Sequence, residues 1–254
     1  MKIHACLSWY TEQADHLYEM VASVAPLVDS VVAVDGRYEL MPGATHRSSD
    51  AEYAALGDAC DEHGLALTIY RPAEPWAGNE VEKRAKMFHI ANGVATPHED
   101  WFLIMDGDML MCQRGDAEKA RAKLAEAGEG FDVGGVTFGE LPWGATLDGY
   151  DVLTSTIAPF RSMFRAIPGL TVEWAHYFYN VLNLDGTRRY LWYDLPGRYG
   201  PYKPHSSVAV VDLMDEVRLL HRPWARNNQR VRSKLKYHDE AAARVIERVP
   251  PLTS

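Results

Sequence analysis

Asp106-Gly107-Asp108 follows five consecutive apolar residues, Trp101, Phe102, Leu103, Ile104 and Met105. Two carboxylates two positions apart point to opposite faces of a straight strand. A turn at Gly107, through the positive φ that glycine takes without steric penalty, would bring them to one site. Two buried carboxylates are tolerated together only where a cation or hydrogen-bond donors compensate their charge. Hard oxygen ligands suit Mg²⁺ or Mn²⁺, ions that commonly bridge to a diphosphate. The same tripeptide also reads as a polar turn in which Asp106 caps the following segment.

The elements that must position these residues alternate. Residues 3–7 form a short apolar run, and Leu17, Val21, Val24 and Val28 then recur at helical spacing. Residues 31–34, Val-Val-Ala-Val, end at Asp35-Gly36. A helix is expected over residues 50–63, stopped by Gly64, and a third strand over 65–70. Asn79-Glu80-Val81-Glu82 has the pattern of a capping box, and Val81, Ala85, Phe88 and Ala95 keep the next helix in phase. Residues 101–105 are the fourth strand, and a helix over 116–127 ends at Gly128. Continuous apolar runs fit strands buried on both faces. The prediction is an α/β domain with a mixed, mostly parallel, Rossmann-like sheet flanked by helices. Ligands of such sheets bind beyond the carboxyl ends of the strands. The first strand delivers Ser8 there, with Glu12 close by, the second delivers Asp35, and the fourth delivers Asp106 and Asp108.

Composition narrows the function classes. The chain has 254 residues, 47% of them hydrophobic, with a formal net charge of −9. An acidic chain is a poor candidate for tracking nucleic-acid phosphates, so no nucleic-acid partner is expected. Cys6, Cys60 and Cys112 are odd in number and far apart, which excludes a disulfide framework and a zinc ribbon. The first residues turn polar too soon for a signal peptide, and no apolar run has the length of a membrane span. A cytoplasmic location is the expectation. A glycine fingerprint for a dinucleotide and a phosphate loop are both missing after the first strand.

In this order of strands, Asp35, the basic helix and the Asp106-Gly107-Asp108 motif, residues 1–115 resemble a GT-A fold glycosyltransferase. The resemblance is to the broad family-two-like group, including small phage and bacterial members. It implies a nucleotide-sugar donor, with UDP favoured, and an acceptor hydroxyl on a protein, glycan or other molecule. It implies that Asp35 holds the base or ribose, that Asp106 lies near the ribose and metal, and that Asp108 binds Mn²⁺ or Mg²⁺. His221, late in the chain and ending a strand-like run, would complete the metal shell, and an imidazole favours Mn²⁺. Arg84, on a helix that also carries Lys83 and Lys86, would touch the donor; the alternative is a solvated helix face. The stretch 160–176 is similar to an acceptor-side wall of such transferases. It offers Glu173 as a base for the acceptor hydroxyl and His176 as a second catalytic residue. Asp-Gly-Arg-Tyr at 35–38 departs from the more usual acidic and serine-rich turn.

Beyond about residue 136 the pattern becomes irregular, rich in Gly, Pro and aromatics such as Trp143, Tyr150, Trp174, Tyr177, Trp192 and Tyr193. The expected organisation is a nucleotide-sugar-binding half over 1–136, an acceptor-side half over 137–222 attached to the same sheet, and a helical segment over 223–254. Arg222, Arg226, Arg230 and Lys234 recur every four residues and would form one stripe on a helix. Such a stripe, with Arg222 and Arg226 nearest the metal, would neutralise a diphosphate leaving group. Two other readings fit an Asp-x-Asp after an apolar strand. One is a haloacid-dehalogenase-like phosphohydrolase with Asp106 as nucleophile. The other is a non-catalytic carbohydrate- or partner-binding protein on a degenerate transferase fold.

Overall fold

The unbroken apolar runs become the central strands of the computed structural model, which describes residues 1–39, 45–77, 80–141, 159–175, 179–182, 188–190 and 209–222. β1 (Ile3–Ser8) is buried along its whole length. β2 (Ser30–Val34) and β4 (Trp101–Asp106) are buried at all but one residue each. β3 (Ala66–Tyr70) is half-exposed and takes the edge. These four pair in parallel in the order β3-β2-β1-β4. Strands covered on both faces have no solvent side on which polar residues would alternate.

The helices fall close to their expected places, and Asn79 of the expected capping box lies outside the described residues. α1 (Ala14–Val24) buries Leu17, Met20, Val21 and Val24. α2 (Asp50–Glu62) opens with a reciprocal capping box between Ser49 and Glu52, and Gly64 takes φ +66° just past its end. α3 spans Glu80–Val94. α4 (Ala117–Glu126) is capped by Asp116, whose carboxylate accepts from the Lys119 N–H at 2.9 Å. The chain steps from β1 to β2 to β3 in one direction, then returns past β1 to lay down β4. Right-handed crossovers place α1 and α2 on one face and α3 on the other. Accordingly α1 packs on α2, while α3 lies against β1 and β2. The strand order therefore reverses between β1 and β4, and a crevice is expected at their carboxyl ends.

The second half widens the sheet. β5 (Met109–Met111), β6 (Phe131–Glu140), β7 (Phe160–Arg165) and β12 (Arg218–His221) continue it in the order β4-β7-β6-β12-β5. β11 (Ala209–Asp212) pairs in parallel with the first part of β6. The change of pattern placed near residue 136 falls inside β6. β8 (Thr171–Ala175), β9 (Tyr179–Leu182) and β10 (Arg188–Tyr190) do not join this sheet. They form a separate antiparallel one, and β8 packs on α3. The expectation of one continuous sheet is corrected to that extent. Among the described residues no helix is long and apolar enough to cross a membrane. The helical segment expected over 223–254 lies outside the described residues.

The amino ends of the strands are closed by structural ion pairs. Asp29 takes the Ile3 N–H at 2.8 Å and two nitrogens of Arg121. Asp100 accepts from the N–H groups of Lys2 and Thr96 and contacts His4. Glu216 is buried between Lys119 and Lys123. Burial alone would raise all three acids, but the donors around them outweigh it and hold each below its usual range. A folded-state pKa below the unfolded one means stability that is present above about pH 4 and lost as pH falls through the folded value. Glu216→Gln is therefore expected to flatten the fall of Tm between about pH 5 and pH 3, measured by calorimetric scans. A Tm profile as steep as that of the parent protein would remove Glu216 from this account.

Candidate functional site at the carboxyl ends of β1 and β4

Parallel register aligns Ser8 with Val34 on one side and with Asp106 on the other. The Gly107 N–H donates to the Ser8 carbonyl at 3.3 Å, so the turn after β4 stays tied to the end of β1. Directly after Asp108 the chain enters β5, which runs antiparallel to β12 with Met109 opposite His221. The Arg222 N–H donates to the Asp108 carbonyl at 2.9 Å and extends that ladder. This pairing, not sequence proximity, brings His221 to Asp108. His221 Nε2 lies 2.9 Å from Asp108 Oδ2, and its Nδ1 lies 3.3 Å from Glu140 Oε1. Glu140 is the register partner of His221 on β6, and the Phe138 ring stacks on the imidazole. Asp108 and His221 are buried, whereas the Glu140 side chain is 47% exposed.

Asp106 turns to a different partner. Its Oδ1 accepts from Arg84, a fully buried guanidinium on α3, while Asp106 keeps 24% of its side chain exposed. Lys83 is also buried and donates to the carbonyls of Trp9 at 2.6 Å and Gly36 at 2.8 Å. It ties the loop after β1 to the loop after β2. The solvated-face reading of this helix is thus wrong for Lys83 and Arg84; Lys86 lies over the Tyr70 ring.

The glycine of the motif has a different reason from the one expected. Gly107 is not among the positive-φ residues. Instead a Cβ there would lie 2.6 Å from Glu12 Cγ. Glu12, 1% exposed, fills the space a larger residue would need. Thr11 just before it has φ +48°, and its N–H donates to Ser48 Oγ at 2.9 Å. A β-branched residue in the left-handed region is strained by about 1–3 kcal/mol and persists only where surrounding contacts enforce it.

Asp35 stands at the end of β2 as expected, but it is fully buried. It accepts from the Gly36 N–H, from the Ser48 N–H and from Ser48 Oγ, and Arg71 Nε lies 3.5 Å away. These contacts hold the loop that would frame a nucleoside. Gly36 itself has φ +107°, and a Cβ there would meet Pro72 Cγ at 2.6 Å and Trp76 Nε1 at 2.9 Å. Gly36→Ala is expected to cost about 2–4 kcal/mol in urea unfolding; a change under about 0.5 kcal/mol would contradict this packing.

Arg222 is fully buried and turns toward α1, pairing with Glu19 and donating to the His16 carbonyl at 2.9 Å. Burial, with Arg222 beside it, pushes His16 below its ordinary pKa. The structure therefore makes Arg222 a clamp between α1 and the Asp108 segment. Ser8, the last residue of β1, is buried. Glu173 belongs to β8, with only its backbone described. His176 and Arg226 lie outside the described residues, as do Trp143, Tyr150, Tyr177, Trp192 and Tyr193.

Asp108 and His221, a buried carboxylate and a buried imidazole, are of the donor types that divalent ions take, and the 2.9 Å between Oδ2 and Nε2 is that of a hydrogen bond. Among the described residues no group of three or more His, Cys, Asp or Glu is arranged to hold a metal. An ion here would draw its remaining ligands from substrate phosphates and water, as Mg²⁺ commonly does. Burial pushes the Cys6 thiol far up and Cys60, with Asp61 adding to it, up to about 11. A groove of about 310 Å³ lined by His89, Asn92, Pro97 and Pro168 lies toward the amino end of β4. It shares no residue with the Asp106–Asp108 cluster.

No protein-family model matches this chain, and no curated protein matches it. Solved structures share parts of its fold at low identity. A mannose-6-phosphate isomerase from Helicobacter pylori is 14% identical over 65% of this chain and 71% of its own, with a TM-score of 0.34. A glycosyltransferase involved in glycosylation of the major capsid of PBCV-1 is 16% identical over 57% of this chain and 55% of its own, with a TM-score of 0.27. At such TM-scores neither likeness bears on activity.

Proposed function

We propose that this chain is a glycosyltransferase that moves a sugar from a nucleotide-sugar donor, a UDP-sugar first, to an acceptor hydroxyl on a protein or glycan. The observation that carries the reading is the Asp108–His221 pair at the switch point of the sheet, next to an Asp106 held by buried Arg84. A Mn²⁺ or Mg²⁺ ion bound there would act as a Lewis acid on the diphosphate leaving group.

The chain's own residues do the positioning. Lys83 fixes the two loops that flank a nucleoside by holding the Trp9 and Gly36 carbonyls. Asp35 supports the second of these loops through Ser48. Asp106, partly exposed, faces the donor with its orientation set by Arg84. In the reaction the acceptor oxygen forms a bond to the anomeric carbon. The bond from that carbon to the diphosphate oxygen breaks, and the nucleoside diphosphate leaves with the electron pair. The acceptor proton passes to a base, for which Glu173 stands as the candidate.

Calorimetric titration of UDP, with GDP in parallel, in Mn²⁺ and then in EDTA tests the reading. Binding of one nucleotide that depends on Mn²⁺ is the expected result. Absence of binding under every metal condition would sink it, and turnover of a generic phosphomonoester would replace it with an Asp106-centred phosphohydrolase.

A further inference from the structure

We propose that Thr11 and Glu12 form a strained positioning device that sets the conformation of the Asp106-Gly107-Asp108 turn. Four observations converge. Glu12 is 1% exposed although it is a charged residue in a loop. Its Cγ, Cδ and Oε1 are the three atoms that a Cβ on Gly107 would meet, at 2.6, 3.2 and 3.3 Å. The residue that aims it, Thr11, holds φ +48°. The contact that holds Thr11 runs from its N–H to Ser48 Oγ, and that hydroxyl donates to Asp35 Oδ1 at 2.6 Å. A continuous set of contacts therefore joins the end of β2 to the end of β4 through the loop after β1.

Backbone strain of this kind clusters at active sites and ligand clamps, where surrounding contacts enforce it. Glu12 acts here through its shape. It occupies the space beside Gly107, so the backbone between the two aspartates has one place to lie. Asp106 is then presented to Arg84 and Asp108 to His221. Glu12 is a positioning residue in this account, and its consequence for metal binding rests on the reading proposed above.

Two sets of variants of the full chain test this. Gly107→Ala is expected to lower Tm by about 2–10 °C. In the Glu12→Ala background, where the space is vacated, the same substitution is expected to lower it by less than half as much. Equal losses in both backgrounds would overturn the contact. The second readout is Mn²⁺ affinity, from thermal shift with the metal alone. Glu12→Ala is expected to weaken it about tenfold, and the isosteric Glu12→Gln less than about threefold. Thr11→Gly, which relieves the strain, is expected to leave Tm unchanged or raised and still weaken Mn²⁺ binding. Unchanged affinity in Glu12→Ala, or an equal loss in Glu12→Gln, would overturn positioning by shape. If the parent protein binds neither Mn²⁺ nor UDP, the proposed function fails by itself, and the paired Gly107 variants still decide the positioning claim.

Discussion

Asp108→Asn is expected to lower the Mn²⁺-dependent affinity for UDP at least about 100-fold, close to 3 kcal/mol, while the protein stays folded. Asparagine keeps the volume of Asp108 and a hydrogen-bonding group for His221 Nε2, 2.9 Å away. It removes the charge that a hard cation requires. The buried contact with His221 thus survives, and the metal ligand that the proposed function requires does not. His221→Gln offers the matching loss from the other side, about tenfold to 100-fold, because an amide oxygen replaces an imidazole nitrogen. The measurement is calorimetry of UDP in Mn²⁺, with far-ultraviolet circular dichroism to show that each variant is folded. Affinity within threefold of the parent in Asp108→Asn would remove the metal from this position.

Much of the first half of this fold was legible because its signals are local. β1, β2 and β4 read as apolar runs, and α2 read as a helix stopped by Gly64, which takes φ +66° just past its end. The parallel order followed from strand–helix alternation. The second half gave no such signals. β6 contains Gly134 and Gly135, both packed against side chains of neighbouring segments, so it lacks a steady strand pattern. In the three-stranded sheet of β8 to β10, β8 packs on α3, a contact that no local period encodes.

The site divides along the same line. Asp106 and Asp108 were found because an apolar strand ends in them, and His221 because a short strand-like run ends in it. What the residues touch was not legible. Arg84 looks like one of three basic residues on a helix, yet only the fold puts it beneath Asp106. Arg222 looked like the first member of a cationic stripe and instead clamps α1 through Glu19 and His16. Glu12 was visible as an acid near the end of β1, but its packing on Gly107 arises from the φ +48° turn at Thr11. A threonine in that conformation carries no sequence mark, since the signal for a left-handed residue is normally Gly or Asn.

Arg84→Met is expected to destabilise the protein by about 2–4 kcal/mol, a fall in Tm of about 4–16 °C for a chain of this size. The reason lies in the pair it breaks. Arg84 is fully buried and Asp106 is 24% exposed, so removing the guanidinium leaves a carboxylate with little water to replace it. The exposure of Asp106 lowers the loss below that of a wholly buried pair. Adding Asp106→Asn removes the stranded charge, and the double variant is expected to recover at least half of the lost Tm. Losses that simply add would show that the two side chains do not interact. The same double variant separates fold from function. Its recovered stability restores the fold, but the carboxylate proposed to orient the donor is gone, so Mn²⁺-dependent UDP affinity is expected to stay at least about tenfold below the parent value. Affinity that returns together with Tm would reduce the Arg84–Asp106 pair to a structural tie between α3 and β4.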